Sequence, residues 1–107
     1  EKELKNKQTK YNKAIFPWSA SGRAMTTGST TGKTKVLTSE DNSKILGIGI
    51  TGSNAGELIG EAMLAIEMGA NIEDISLTIH AHPTLSETIA NASEMLTKTI
   101  TDLYIKN

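Results

Sequence analysis

Apolar residues along this 107-residue chain change their spacing from strand-like to helical near its middle. Tyr11 to Pro17 reads as a strand, and Pro17 closes it because a proline nitrogen cannot donate to a ladder. Lys33 to Ser39 and Ile45 to Thr51 are two further strands. Glu40-Asp41-Asn42-Ser43-Lys44 joins them, a loop of hairpin length and composition. In the second strand Leu46, Ile48 and Ile50 alternate on one face. Gly47 and Gly49 fall on the other, where a helix or another backbone can approach closely. Upstream, Glu1 to Lys10 is almost all polar and predicts a solvated, frayed piece of helix. Trp18 to Arg23 reads as a turn into Ala24-Met25, and Thr27 to Gly32 as a polar connection.

Past Thr51 the period becomes helical. Asn54 is placed to cap a helix that Gly69 closes, with Glu57 at its third position. Ala55, Leu58, Ile59, Ala62 and Ile66 fall on one face of it. Gly52, Gly56 and Gly60 make a flat strip, and Glu57, Glu61 and Glu67 a solvated side. Asn71 to Ile75 reads as one capped turn. Ser76 to Ile79 reads as extended, apolar at Leu77 and Ile79, and delivers His80 and His82. A final helix is expected from Leu85 to Thr99, with Leu85, Ile89, Ala92 and Leu96 as its buried stripe. Ile100 to Asn107 is a tail. The fold class is α+β: an antiparallel sheet of about four strands packed with two main helices. Residues 1–10 are read as a polar N-terminal segment, a truncated helix, 11–103 as the domain and 104–107 as the tail.

Composition narrows the function. A net charge of -1 and a pI near 6.1 give no electrostatic case for nucleic acid or a membrane surface. No apolar run approaches the roughly 18 residues of a membrane span, and no secretory signal is visible. The chain has no cysteine, which excludes a disulfide staple or a thiol nucleophile within it and agrees with a cytoplasmic location. The two histidines, one residue apart on an extended segment, make a poor metal clamp, so no metal is expected. Phe16 and Trp18 are read as core, and Arg23 is given no chemistry.

Two nucleotide-binding strings need weighing. Gly28 to Thr34 ends in Gly-Lys-Thr but is one residue short of a phosphate loop. It also runs into a strand, where a phosphate site needs a helix N-terminus. Gly47-Ile48-Gly49-Ile50-Thr51-Gly52 matches the dinucleotide string, and Asp74 follows at a plausible distance. The isoleucines carry a strand straight through both glycines, however, and the preceding hairpin makes antiparallel sheet. Both strings are read as decoys.

The candidate chemistry lies in His80-Ala81-His82-Pro83-Thr84-Leu85-Ser86-Glu87. Pro83 restricts its own backbone and that of His82. Thr84 to Glu87 has the spacing of a capping box. His82 then stands at a corner just before a helix, with Glu87 in the first turn. A carboxylate on one ring nitrogen fixes the tautomer and leaves the other nitrogen as a base. The residues alone favour the plainer reading, with Glu87 only a cap and His82 only a corner histidine bonded to backbone.

This octapeptide, with Gly56-Glu57-Leu58-Ile59-Gly60-Glu61 and Ala65-Ile66-Glu67-Met68-Gly69, resembles the C-terminal interface (dimerisation) domain of the dihydrolipoyl dehydrogenase family. That family belongs to the flavoprotein, pyridine nucleotide-disulfide oxidoreductases. The resemblance runs from the first residues to Leu103. Glutathione reductase has a similar His-Pro-Thr and Glu but lacks the paired histidines and the Ala-Ile-Glu-Met-Gly run. Mercuric reductase lacks the histidine. The resemblance implies that His82 is the catalytic base and Glu87 its partner. It places His82, through its main-chain carbonyl, and Pro83 against the FAD of the other subunit of a homodimer. FAD, NAD and a redox-active cysteine pair belong to domains outside this chain, which by itself is expected to carry no cofactor and to be inactive. The implied partner is a lipoyl-bearing acyltransferase or carrier subunit of a 2-oxo acid dehydrogenase or glycine cleavage complex. The implied location is the cytoplasm, or the mitochondrial matrix in a eukaryote. His80 matches no assigned role and is read as packing or orienting. In the family a strand-containing segment precedes this point, so the chain is expected to be a fragment or to leave one sheet edge without its usual neighbour. Two alternatives stand beside this: a free-standing homodimerising module, and the interface domain of a related reductase such as glutathione reductase.

Overall fold

Alternation along the first strand, β1 (Tyr11–Pro17), sends Ala14 and Phe16 inward, and the other elements are built against that face. The computed structural model describes residues 1–98. A short helix α1 (Lys2–Asn6) precedes β1. A 3-10 turn (Trp18–Ala20) and helix α2 (Gly22–Thr27) follow it. Next come β2 (Lys33–Ser39) and β3 (Ile45–Thr51), and then α3 (Ala55–Glu67), α4 (Ile72–Leu77) and α5 (Glu87–Thr97). The sheet order is β1-β2-β3, antiparallel at both joints. Tyr11 stands opposite Ser39, and Val36 opposite Ile48. Helix α5 packs on β1, β2 and α4, while α3 packs on β3.

The α+β class and all three strand spans match the sequence pattern. Among the described residues the sheet has three strands rather than four, because the fourth expected strand became helix. The capped turn at Asn71 carries a complete capping box with Asp74 and continues through Ser76 and Leu77, so extended chain begins only at Thr78. Ile72 and Ile75 are thereby buried against α5.

Three details of packing also differ. The register shifts between Leu37 and Thr38, which pair with Gly47 and Ile45. Leu46 is left as the extra residue of a bulge, and a bulge reverses which face the residues before it occupy. Ile45, not Leu46, therefore joins Ile48 and Ile50 against the core. In α3, Ala62 is buried and Ala65 packs on the core, whereas Ile66 is 44% exposed. Asn54 makes no side-chain cap. It takes a left-handed φ of 65°, and its carbonyl accepts the Glu57 and Leu58 amides. Gly69 does close α3, at a φ of 69°.

Helix α5 starts at Glu87, two residues later than the pattern suggested, and is buried on every side from Thr88 to Ser93. Its expected stripe holds: Leu85, Ile89 and Ala92 are buried and Leu96 packs on the core. The predicted end of this helix at Thr99, the tail and the last residues of the 11–103 domain lie outside the described residues.

Candidate functional site

The corner before α5 is tied by its own short side chains. Thr84 donates its hydroxyl to the Ala81 carbonyl at 2.6 Å, so that proton is not available elsewhere. Ser86 must then be the donor in the 3.0 Å contact between the two hydroxyls. The Thr84 amide donates to Glu87 Oε1 at 2.9 Å. This is the carboxylate half of the expected capping box. The other half is missing because the Thr84 side chain is turned to Ala81. Amides of Glu87, Thr88 and Ile89 bond three residues back, to Thr84, Leu85 and Ser86, which tightens the turn that leads into the helix.

The same Glu87 carboxylate meets His82. Nδ1 lies 3.0 Å from both Oε1 and Oε2. A carboxylate only accepts, so Nδ1–H donates and the proton-free nitrogen of the neutral ring is Nε2. Nε2 makes no hydrogen bond among the described residues. The His82 side chain is 72% exposed and that of Glu87 18%, so a half-sheltered acid holds an open imidazole. The His82–Pro83 bond is cis. Pro83 Cβ and His82 Cε1 stand 3.9 and 4.0 Å from where a Cβ on Gly22 would lie, which seats the corner over the start of α2.

Below the corner runs a buried relay. Trp18 Nε1 donates to Thr34 Oγ1 at 3.0 Å, Thr34 meets Thr88 Oγ1 at 2.8 Å, and Thr88 donates to the Leu85 carbonyl at 2.7 Å. Thr88 has one hydroxyl proton and gives it to the Leu85 carbonyl, so Thr34 donates to Thr88 and the direction is set along the whole chain, from indole to Thr34 to Thr88 to Leu85. The 3-10 turn, β2 and the first turn of α5 are thus joined two residues from Glu87. The sequence reading took Trp18 as core and missed the relay. The signal available to it was two threonines at inward-facing positions of predicted elements.

Trp18 also disposes of the decoy strings. A Cβ on Gly32 would collide with Trp18 Cε3 and Cδ2 and lie 2.6 Å from the Thr51 carbonyl oxygen. One on Gly52, whose φ is +137°, would lie 2.5 Å from Trp18 Cζ3. Both glycines make room for an indole, not a phosphate. Thr34 is in the relay, and Asp74 is spent on capping α4.

A second histidine–glutamate pair lies beside the first. His80 Nε2 is 2.5 Å from Glu61 Oε2 on α3, and its Nδ1 is 2.9 Å from the Thr78 carbonyl. Its side chain is only 8% exposed. Sequence reasoning left Glu61 on a solvated face and read His80 as packing or orienting without naming what it meets; nothing in local spacing relates residues 19 apart on different elements. Arg23 is exposed. Among the described residues, no group of three or more potential ligands could hold a metal ion. No helix of the described residues is long and apolar enough to cross a membrane.

For a flavin, the residues fit a contact from one side. Pro83 and His82 are exposed, and the open depression of about 570 Å³ beside them, lined by Arg23, Leu58, Pro83, Thr84 and Leu85 among others, is one wall and not an enclosure. A flat ring brought by another chain can rest against this corner.

This α+β domain shares its architecture with parts of larger chains whose structures are solved. It superposes with LpdA from Mycobacterium tuberculosis at a TM-score of 0.82, 19% identical, over 89% of this chain and 21% of that one. With the HOCl-induced flavoprotein disulfide reductase of Escherichia coli the TM-score is 0.83, at 19% identity, over 90% of this chain and 22% of that one. At such identity the likeness establishes the fold. The chain belongs to the pyridine nucleotide-disulphide oxidoreductase dimerisation domain family, whose model matches residues 1–93. It is 57% identical over 103 residues to the dihydrolipoyl dehydrogenase of Buchnera aphidicola subsp. Acyrthosiphon pisum, covering 96% of this chain and 22% of the relative. The dihydrolipoyl dehydrogenase of Haemophilus influenzae is 52% identical over 103 residues, with the same coverage. The chain thus spans about a fifth of the length of the curated relatives it matches.

Proposed function

We propose that this chain acts as the interface domain of a dihydrolipoyl dehydrogenase, closing a homodimer and lending His82 and Glu87 to the active site of the partner subunit. The observation that carries this is the bidentate hold of Glu87 on His82 Nδ1, at 3.0 Å to each oxygen, with Nε2 unengaged on an open corner. Such a ring can take a proton at Nε2 from a dihydrolipoyl thiol. The thiolate is the species that attacks a disulfide, and Glu87 stabilises the imidazolium that forms. FAD and NAD, together with a cysteine pair, supply the electron-accepting chemistry when bound in the other domains of such an enzyme. This chain's part is to accept, hold and return the proton, with Pro83 and the His82 main chain resting against the flavin. The reductant is a lipoyl group on an acyltransferase or carrier subunit, and the compartment is the cytoplasm or the mitochondrial matrix.

Dimerisation is supported by the apolar surface the domain leaves open. Met63, Leu64, Met68 and Leu77 are exposed and Ile79 is 97% exposed. Large apolar side chains left in water along one stretch, residues 63–79, suit burial against a second copy.

The test is His82→Gln in the holoenzyme that contains this chain. Loss of the base should lower dihydrolipoamide oxidation by about 10²–10⁴ while flavin absorbance stays unchanged. Near-normal turnover would sink the assignment.

A further inference from the structure

The mechanism above makes no use of the second pair, although its geometry is the more constrained of the two. His80 is almost enclosed, and both of its ring nitrogens face acceptors. Nδ1 faces the Thr78 carbonyl at 2.9 Å, which can only accept, so Nδ1 carries hydrogen. Nε2 faces Glu61 Oε2 at 2.5 Å, so this nitrogen too is engaged in a hydrogen bond. An imidazole with both nitrogens committed cannot serve as a base. It can serve as a tether. Its two bonds join α3, through Glu61, to the end of α4 and to the extended segment that carries His82 two residues on.

The corner has a second anchor on the other side, where Glu87 holds the ring and the Thr84 amide and the relay holds Leu85. On the side of His80, the residues between α4 and the corner have little else. Ile79 is 97% exposed, and Ala81 and His82 are exposed too. Without Glu61, the segment upstream of His82 would be held by one backbone contact of His80 and by the Thr84 hydroxyl on Ala81.

We infer that Glu61 and His80 are positioning residues for His82: their hydrogen bond ties the His82-bearing segment to α3 and sets where the exposed imidazole stands. The inference rests on the proposed role of His82. Placement of a base matters because a shift of about 1 Å costs up to about 100-fold in rate.

The experiment compares Glu61→Ala, Glu61→Gln, His80→Ala and the Glu61→Ala/His80→Ala double variant in the holoenzyme, beside His82→Gln. Glu61→Ala and His80→Ala are each expected to lower kcat for dihydrolipoamide by about 10- to 100-fold, with the KM for NAD unchanged. The double variant should fall no further than His80→Ala alone, since that change already removes the bond to Glu61. Glu61→Gln should stay within about twofold of the parent, because its amide N–H can donate to Nε2 of a neutral His80. Hydrogen exchange of the amides from Ile79 to His82 should quicken in Glu61→Ala and not in Glu61→Gln. Parent-like kcat in Glu61→Ala, or equal loss in Glu61→Ala and Glu61→Gln, overturns the positioning role. If His82→Gln itself turns over normally, it is the proposed function that fails. If His82→Gln is dead and Glu61→Ala is not, only the tether fails.

Discussion

His80 and His82 are separated by one alanine, and each meets a glutamate, yet the two pairs leave their rings in opposite states. The His80 side chain is 8% exposed and the His82 side chain 72%. His80 has acceptors on both nitrogens; His82 has them on one. An imidazole with two committed nitrogens is a brace, and one with a committed and an open nitrogen is a base held in a known tautomer. The partners differ in origin as well. Glu87 is five residues downstream, on the next turn of chain. Glu61 is 19 residues upstream, on a separate helix. Residue type and spacing to a carboxylate do not separate these roles; solvent and the number of acceptors do.

The hardest blow to this contrast is His82→Gln, expected to cost about 10²–10⁴ in dihydrolipoamide oxidation; an equal loss from removing His80 would mean both rings act as bases. Next in size is the effect of Glu61→Ala described above, which the Gln variant should spare. Thr88→Val strikes the exposed pair from below. It leaves the Thr34 hydroxyl and the Leu85 carbonyl short of a partner in a buried place, so urea denaturation should show a loss of about 1–3 kcal/mol. His80 ring NMR signals should not move in that variant, since the relay ends at Leu85. Glu87→Gln should hurt less than His82→Gln. The Gln amide oxygen can still accept from Nδ1–H and hold the ring, but the charge opposite the forming imidazolium is gone, so kcat for dihydrolipoamide should fall. An unchanged kcat would make Glu87 a cap alone.

The smallest effect lies away from both pairs. Hydrogen bonds from the Ser43 side chain and amide, and from Ser39, hold the Asp41 carboxyl down from its ordinary 3.8 to about 2. Lys35, then Lys13 and Tyr11, hold Glu1 from 4.5 to about 2. A carboxyl depressed in the folded state contributes stability that is complete above its unfolded value and is lost as pH falls through the folded one. Melting temperature should therefore drop between about pH 4.5 and 2, and Asp41→Asn should flatten part of that slope. A slope unchanged in Asp41→Asn would assign it elsewhere.

Much of this was legible in residues alone. The three strands stand where their patterns put them, and α3 and α5 are the two main helices. The His82–Glu87 contact follows from a corner proline and a five-residue spacing, because both residues belong to one local turn. The errors have local causes of another kind. Ser76 and Leu77 look extended by composition, but the Asn71–Asp74 capping box and the burial of Ile72 and Ile75 on α5 carry the helix through them. Leu46 looked inward until a one-residue bulge exchanged it for Ile45. Thr84 reads as a helix cap, yet its hydroxyl goes to Ala81.

By itself the sequence determined the α+β class, the strand spans and the nearness of Glu87 to His82, since periodicity and short spacing act within a few residues of chain. Only the tertiary structure decided what Trp18, Thr34, Thr88, Glu61 and His80 do. Their partners lie 16 to 54 residues away in sequence, and no local pattern encodes which side chains a sheet and two helices will bring within 3 Å of one another.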